Sequence, residues 1–213
     1  LLASSTSTTL LSTSFEDGMP NDWLVSDVDG DGNSWSVYPN QTTGSGVTYV
    51  FAHYGMRGAA VFTGSGGSDY LITAPVNIPD GSTSASFSLW AKNHSPSYPE
   101  SFNVRISIDG GSNFSSLGQF VESDTTWSQY SFDISSYVGS TVWLAVESVS
   151  SSGWYFMVDD FVISVSEETS TNQAPIAADM QLTTDEDTEL SGFLTGSDTD
   201  ADNLFWDILA NPI

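Results

Sequence analysis

Apolar residues along this chain recur at alternate positions or in short aromatic runs, and helical spacing is close to absent. Ala85, Phe87, Leu89 and Ala91 fall on one face of an extended segment, with Ser84, Ser86 and Ser88 on the other. Phe102, Val104, Ile106 and Ile108 repeat the pattern, with Arg105 and Ser107 pointing outward. Both segments predict half-buried antiparallel strands. The same reading places strands at 12–16, 35–38, 47–52, 59–62, 70–73, 85–92, 102–108, 118–122, 128–133, 141–148 and 154–165, with Gly, Asn, Asp and Ser between them. Asp109-Gly110-Gly111 suits a turn with positive φ, and 133–139 predicts a single helical turn. The fold class is all-β, as a sandwich or barrel.

The composition shifts at Ser166. Residues 167–175 are polar, acidic and closed by Pro175, as expected of a linker. Short strands are then expected at 178–183, 188–192 and 204–208, in a second β unit of which only about 40 residues are present. The Ser/Thr-rich residues 1–11 also read as linker, giving domains at 12–166 and 176–213. The chain lacks an initial Met and stops soon after an expected strand, so it reads as part of something longer.

Three Lys and Arg stand against 27 Asp and Glu, a formal charge of -24. Nucleic acid and anionic membrane surfaces are thereby excluded as partners, because both require basic patches. No apolar run reaches the roughly 20 residues that span a bilayer, so membrane insertion is not expected. Without cysteine there is neither a disulfide framework nor a thiol nucleophile. So many carboxylates must stay solvated or be neutralised by divalent cations.

Asp27-Val28-Asp29-Gly30-Asp31-Gly32-Asn33 concentrates that charge. Carboxylates at alternate positions, interleaved with glycine, converge on a point if the backbone wraps it, and Ca²⁺ is the hard cation suited to oxygen ligands. The spacing matches the first half of an EF-hand loop, yet the twelfth position is Tyr38 where a bidentate Glu is needed. Either this is a solvated acidic turn or further ligands come from far along the chain. Asp159 and Asp160 interrupt the apolar run of the strand expected at 154–165, and burying a lone carboxylate costs several kcal/mol. They cap an exposed strand edge or bind metal. Glu16 ends the first expected strand, which in a sandwich often lies beside the last. The expectation is that Glu16, Asp27, Asp29, Asp31 and Asp159 or Asp160 share one or two Ca²⁺ ions.

Catalytic signals are weak. His53 and His94 lie in no His-Glu-x-x-His pattern, and there is no Gly-x-Ser-x-Gly elbow. Nothing marks one carboxylate pair for glycoside hydrolysis above the rest. The Pro-rich segment 94–100 carries His94, Tyr98 and Glu100, and is either an ordinary sandwich loop or one that contacts a ligand.

Several segments in order carry a resemblance. Ser14-Phe15-Glu16, Met19-Pro20 and Trp23 precede the Asp/Gly run and Trp35. They are followed by Asp69-Tyr70-Leu71-Ile72-Thr73-Ala74-Pro75, by Ser107-Ile108-Asp109-Gly110-Gly111-Ser112-Asn113-Phe114, by Tyr137-Val138-Gly139 and by Val158-Asp159-Asp160-Phe161-Val162. Together they resemble the cleaved-adhesin or choice-of-anchor J family, MAM-like jelly-roll modules of gingipain adhesin regions and other exported bacterial proteins. Ala74, inserted between Thr73 and Pro75, departs from the family pattern. The resemblance covers roughly 12–166 and implies a jelly-roll sandwich with structural Ca²⁺ near its first and last strands. Asn172-Gln173-Ala174-Pro175, the acidic run at 184–188 and the segment 197–204 resemble the opening half of a bacterial cadherin-like or Ig-like repeat. That likeness makes Asp198, Asp200 and Asp202 a possible second metal site.

The expected function is a non-catalytic, Ca²⁺-stabilised module of a secreted or surface protein, flanked by neighbouring domains, that binds an extracellular protein or glycan. The alternative is an ancillary binding domain of a secreted peptidase or polysaccharide-degrading enzyme.

Overall fold

The longest strand, β14 (Tyr155–Thr169), shows how the sandwich is assembled from its side-chain pattern. Phe156 and Val158 point into the core, and so do Phe161, Ile163 and Val165. Inward positions therefore switch from even to odd within one strand, which strict alternation forbids. A β-bulge resolves this. Val158 pairs with Ala91 and Asp159 with Trp90, but Val162 pairs with Ser88, so one extra residue is accommodated. Asp160 takes it up with φ 48°, a left-handed conformation tolerated by Asp.

The computed structural model describes residues 4–64, 66–169 and 172–207. The remaining strands of the first unit are β1 (Ser4–Thr13), β2 (Leu24–Asp27), β3 (Ser36–Pro39), β4 (Gln41–Thr42), β5 (Thr48–Tyr49), β6 (Arg57–Phe62), β7 (Asp69–Ile72) and β8 (Val76–Asn77). They continue with β9 (Ser84–Asn93), β10 (Glu100–Ser107), β11 (Ser115–Glu122), β12 (Ser128–Asp133) and β13 (Thr141–Ser148). One sheet runs β12-β9-β14-β6-β3, with β1 also on β14. The other runs β11-β10-β13-β7-β2, with β8 also on β13. All registers given for these strands are antiparallel, as the alternating pattern predicts.

The inner faces meet through Phe87, Leu89, Phe156 and Phe161 on one side and Phe102, Val104, Leu144 and Val146 on the other, all essentially inaccessible. Phe15, Trp23 and Phe161 form an edge-to-face trio with centroids 5.2 to 5.7 Å apart, which ties the segment after β1 to β14. A smaller apolar cluster lies on the outer face of the first sheet. There the chain leaving β5 lays Phe51 over Ala60 and Met157. A Cβ at Gly58 would sit 1.9 Å from the Phe51 carbonyl oxygen, so this loop approaches β6 as closely as only glycine permits.

Three expectations require correction. Residues 4–13 are a strand and not a linker, because Leu10 and Leu11 pack against the core and β1 pairs with β14. The last strand runs to Thr169, and a compact unit spans Ser5–Glu168, so the boundary falls after 166. In the second unit the strands expected at 178–183 and 188–192 are not formed, nor is any strand at 204–207, and residue 208 lies outside the described residues. Instead β15 (Ile176–Ala177) pairs with β16 (Gly196–Ser197). Leu182, Leu190 and Phe193 are exposed there, so the short apolar runs have no second layer to pack against among the described residues. The 3-10 turn at Ser135–Tyr137 agrees with the expected helical turn.

Removing residues 1–11 should lower the thermal midpoint of the first unit by several degrees, at roughly 2–4 °C per kcal/mol lost. An unchanged calorimetric transition would mean that β1 contributes nothing to the sandwich.

Candidate metal centres

The structure sorts the singled-out acids into two centres and adds Asp69 to the first. β2 lies against β7 with Asp27 directly opposite Asp69. One oxygen each from Asp27, Asp29 and Asp69 lies within 4.8 Å of the others. The loop after β2 holds its shape through its own carboxylates. Asp27 accepts hydrogen bonds from the Gly30 and Gly32 amides (2.7 and 3.0 Å), Asp29 from the Asp31 amide and Asp31 from the Asn33 amide. Gly30 and Gly32 supply the positive φ values that this wrap needs, 73° and 87°. From the opposite side Gly66 approaches so closely that a Cβ there would lie 2.3 Å from an Asp29 carboxylate oxygen.

Asp69 is fully buried, and neither of its carboxylate oxygens accepts a hydrogen bond from any described residue. Burial, and then the charges of Asp29, Asp31 and Asp27, push its pKa up to about 7. A buried acceptor with no donor, set beside three further carboxylates, fits a hard divalent cation better than any other occupant.

The second centre joins Glu16 to Asp159. Asp159 is buried on the outer side of β14 beneath the 50–56 loop, accepting the His53 amide at 2.7 Å and the Asp160 amide at 2.8 Å. Its pKa is pushed up to about 7, chiefly by burial, with the charges of Asp160 and Glu16 adding to the rise. Glu16 accepts the Met56 and Arg57 amides at 2.9 Å each, with Gly55 packed against its carboxylate. Asp160 turns away: its Oδ2 lies 2.6 Å from His53 Nδ1, and the His53 ring stacks on Trp90 at 4.0 Å. The bulge thus sends two adjacent carboxylates to different duties. Neither caps an exposed edge, because β14 is flanked by β9 and β6.

Asp198, Asp200 and Asp202 lie in the second unit. Asp198 accepts the Asp200 and Asp202 amides at 2.7 and 3.3 Å, and Asp200 accepts the Gln173 amide. The 94–100 segment divides differently from the expectation. Tyr98 is half exposed, and His94 stacks between Tyr49 and Trp154 at 5.0 and 6.2 Å. Glu100 is completely buried. It accepts hydrogen bonds from Thr63 Oγ1 and from the Trp154 amide, and so fixes the turn before β14. It is not available as a ligand contact.

Sequence reasoning missed Asp69 and Glu147. Glu147 lies on the outer side of β13, nearly inaccessible, and accepts hydrogen bonds from Tyr70 Oη (2.5 Å), Asn103 Nδ2 (2.6 Å) and Arg105 Nε (2.6 Å). Burial works to raise its pKa, but these three donors outweigh it and hold the carboxyl below its ordinary range. A signal existed, since Glu147 follows Val142, Leu144, Ala145 and Val146 just as Asp159 follows Phe156, Met157 and Val158. Asp69 had no such signal, because its importance depends on which strand lies opposite.

Comparison with known proteins agrees with this architecture. The model of the Cleaved Adhesin Domain family matches residues 8–136, more than half of the chain, and the chain belongs to that family. Hemagglutinin A of Porphyromonas gingivalis is 28% identical over 189 residues, which cover 76% of this chain but 7% of that protein. The chain therefore spans a small part of the curated relatives it matches. The K3 cleaved adhesin domain of Lys-gingipain from P. gingivalis W83 superposes with a TM-score of 0.61 at 22% identity, over 75% of this chain and 99% of that one. The xylan-binding CBM22-1 domain from Paenibacillus barcinonensis superposes at 0.54 with 19% identity, over 79% and 100%. At these identities both likenesses concern the fold.

With divalent ions removed, Asp69 sets a definite pH dependence. Its folded-state pKa of about 7 lies above the ordinary 3.8, so the folded state holds a proton that the unfolded chain has released. Stability from this group is therefore present at low pH and lost as pH rises through 7. The urea midpoint of the metal-free protein should fall between pH 5.5 and 8, and fall less in Asp69→Asn. Equal slopes in the two proteins would contradict the buried, donor-less carboxylate.

Proposed function

We propose that the chain is a non-catalytic adhesion module of an exported bacterial protein that binds an extracellular protein or glycan and is stiffened by calcium at both acidic centres. Membership of the cleaved-adhesin family and the adhesin nature of the relatives support the adhesive part. Asp69 carries the calcium part: a buried carboxylate without a donor, facing Asp27 and Asp29, in a chain with three Lys and Arg. Asp27, Asp29, Asp31 and Asp69 would hold one ion and Glu16 and Asp159 would contribute to a second, with Asp160 kept for His53. A cation bound only by the folded state stabilises it by mass action.

A second reading, an ancillary domain that holds a secreted peptidase on its substrate, is favoured by the likeness to an adhesin domain of Lys-gingipain. Both readings assign the same work to this chain, and they differ in what it is attached to. Among the described residues no helix is long and apolar enough to cross a membrane. In sequence, the segments within 172–204 resemble the opening half of a cadherin-like or Ig-like stalk repeat, with Asp198, Asp200 and Asp202 as its cation-binding candidate.

Calorimetry of the metal-stripped chain with and without 1 mM Ca²⁺ tests the metal. A rise in the thermal midpoint is expected, reduced in Asp69→Asn and in Asp159→Asn but unchanged in Glu168→Gln. No Ca²⁺-dependent shift in verified metal-free protein would refute it. Immobilised matrix proteins and a glycan array, probed in Ca²⁺ at a temperature where the protein stays folded, test adhesion. Failure to retain the chain on any of them would leave it a spacer.

A further inference from the structure

The two outer faces of the sandwich are not equivalent. The face carrying β14 is roofed by its own chain, with Phe51 on Ala60 and Met157 and the Lys92 Nζ 5.2 Å from the Trp127 ring centroid. On the face carrying β13, two depressions of about 430 and 390 Å³ lie along β10, one lined by Asn103 and the other by Arg105. Ser101, Asn103 and Arg105 alternate outward along that strand and line them in turn. Four residues of strand span about 13 Å, room for several linked rings of a chain but more than one small molecule needs.

The lining is chemically specific. Tyr70 and Phe114 form one wall, with ring centroids 6.3 Å apart and a tilt of 39°. The floor is the cluster in which Glu147 accepts from Tyr70, Asn103 and Arg105, so the Arg105 guanidinium and the Asn103 amide are held in fixed orientations. Register places these side chains in one row across the sheet, from Gln119 through Asn103 and Glu147 to Tyr70 and Ser26. The loop that presents Asn113 and Phe114 is itself fixed. Asp109 accepts from the Ser112 and Asn113 amides, from Asn113 Nδ2 and from Ser107 Oγ, at 2.7 to 3.1 Å. These bonds hold the Asp109 carboxyl down at about 2, so the loop stays tied at any ordinary pH.

Fixed aromatic walls that supply apolar area, with planar amide and guanidinium donors between them, suit a ligand whose rings present C–H faces and hydroxyl edges. Charge then selects among such ligands. Arg105 already carries Glu147 as its counter-ion, the groove has no other cation, and the chain's -24 repels anions. We infer that the outer face of β10, β13 and β7, at Tyr70, Asn103, Arg105, Asn113 and Phe114, is a binding groove for a neutral oligosaccharide chain. This rests on the ligand-binding reading above and names the ligand class and the place.

The full chain in Ca²⁺ is run by affinity electrophoresis through gels containing linear xylan, β-1,4-galactan or β-glucan, with polygalacturonate as the anionic counterpart. At least one neutral polysaccharide should retard it. Phe114→Ala and Asn113→Ala, which leave the Glu147 cluster intact, should each weaken that retardation about tenfold, some 1.4 kcal/mol. Arg105→Lys should do the same, since lysine lacks the planar fork. Tyr98→Ala, on the connection between β9 and β10 and outside the lining of either depression, should bind as the parent does, and thermal midpoints will identify any variant that fails to fold. Retardation that survives Phe114→Ala and Asn113→Ala but is lost in Tyr98→Ala overturns the groove and leaves the adhesive reading standing. Retention by polygalacturonate alone, or by a matrix protein alone, overturns the ligand class. No retention by any polysaccharide or matrix protein overturns both.

Discussion

Unbalanced negative charge is the constraint on which this sandwich depends. With 27 acids and three Lys and Arg, carboxylates cannot in general be matched by side-chain cations, yet Asp69 and Asp159 are fully buried. Isolated burial of an ionised carboxylate is among the costliest arrangements in a protein interior. Each case is met differently. Asp159 receives two backbone amides, from His53 and Asp160, whereas Asp69 receives none from the described residues. Backbone donors therefore ease the burial of Asp159, while Asp69 has only neighbouring carboxylates beside it. Both centres draw on parts distant in sequence: Asp27 meets Asp69 across β2 and β7, and the charge of Glu16, from the segment after β1, is felt by Asp159 on β14.

The bulge in β14 links this electrostatic arrangement to the core. One extra residue between Asp159 and Val162 rotates the rest of the strand, so that Phe161 packs against Phe15 and Trp23. The same rotation separates the two carboxylates, leaving Asp159 beneath the 50–56 loop and sending Asp160 to His53. Packing and charge are thus arranged by a single irregularity. The loop held over Asp159 also covers one outer face of the sandwich, while on the other Glu147 orders Tyr70, Asn103 and Arg105.

Much of this was legible in the residues alone. Alternation is a local property, and the strands at 128–133 and 141–148 follow it to the residue. Asp27, Asp29 and Asp31 stood out for the same reason, since their spacing lies within one loop, and the Asp pair in β14 stood out against its apolar neighbours. The short β2 did not, because Leu24 and Val25 are exposed and its four residues earn their place by pairing with β7. The second unit shows the converse. Local apolar runs there predicted strands that did not form, since a strand is stabilised by the neighbour it pairs with and the layer it packs on.

Sequence by itself determined the all-β class, the antiparallel pairing and the acidic loop, because each depends on period and composition over a few residues. It also marked Asp159 and Asp160 as out of place in an apolar run, and the same signal at Glu147 went unread. Only the tertiary structure decided which acids face one another. Opposition depends on register between strands more than 40 residues apart, and register carries Asp69 to Asp27 and Glu147 to Asn103. It likewise decided that Glu100 holds a turn and that β1 is a strand, because both follow from what the rest of the chain places beside them.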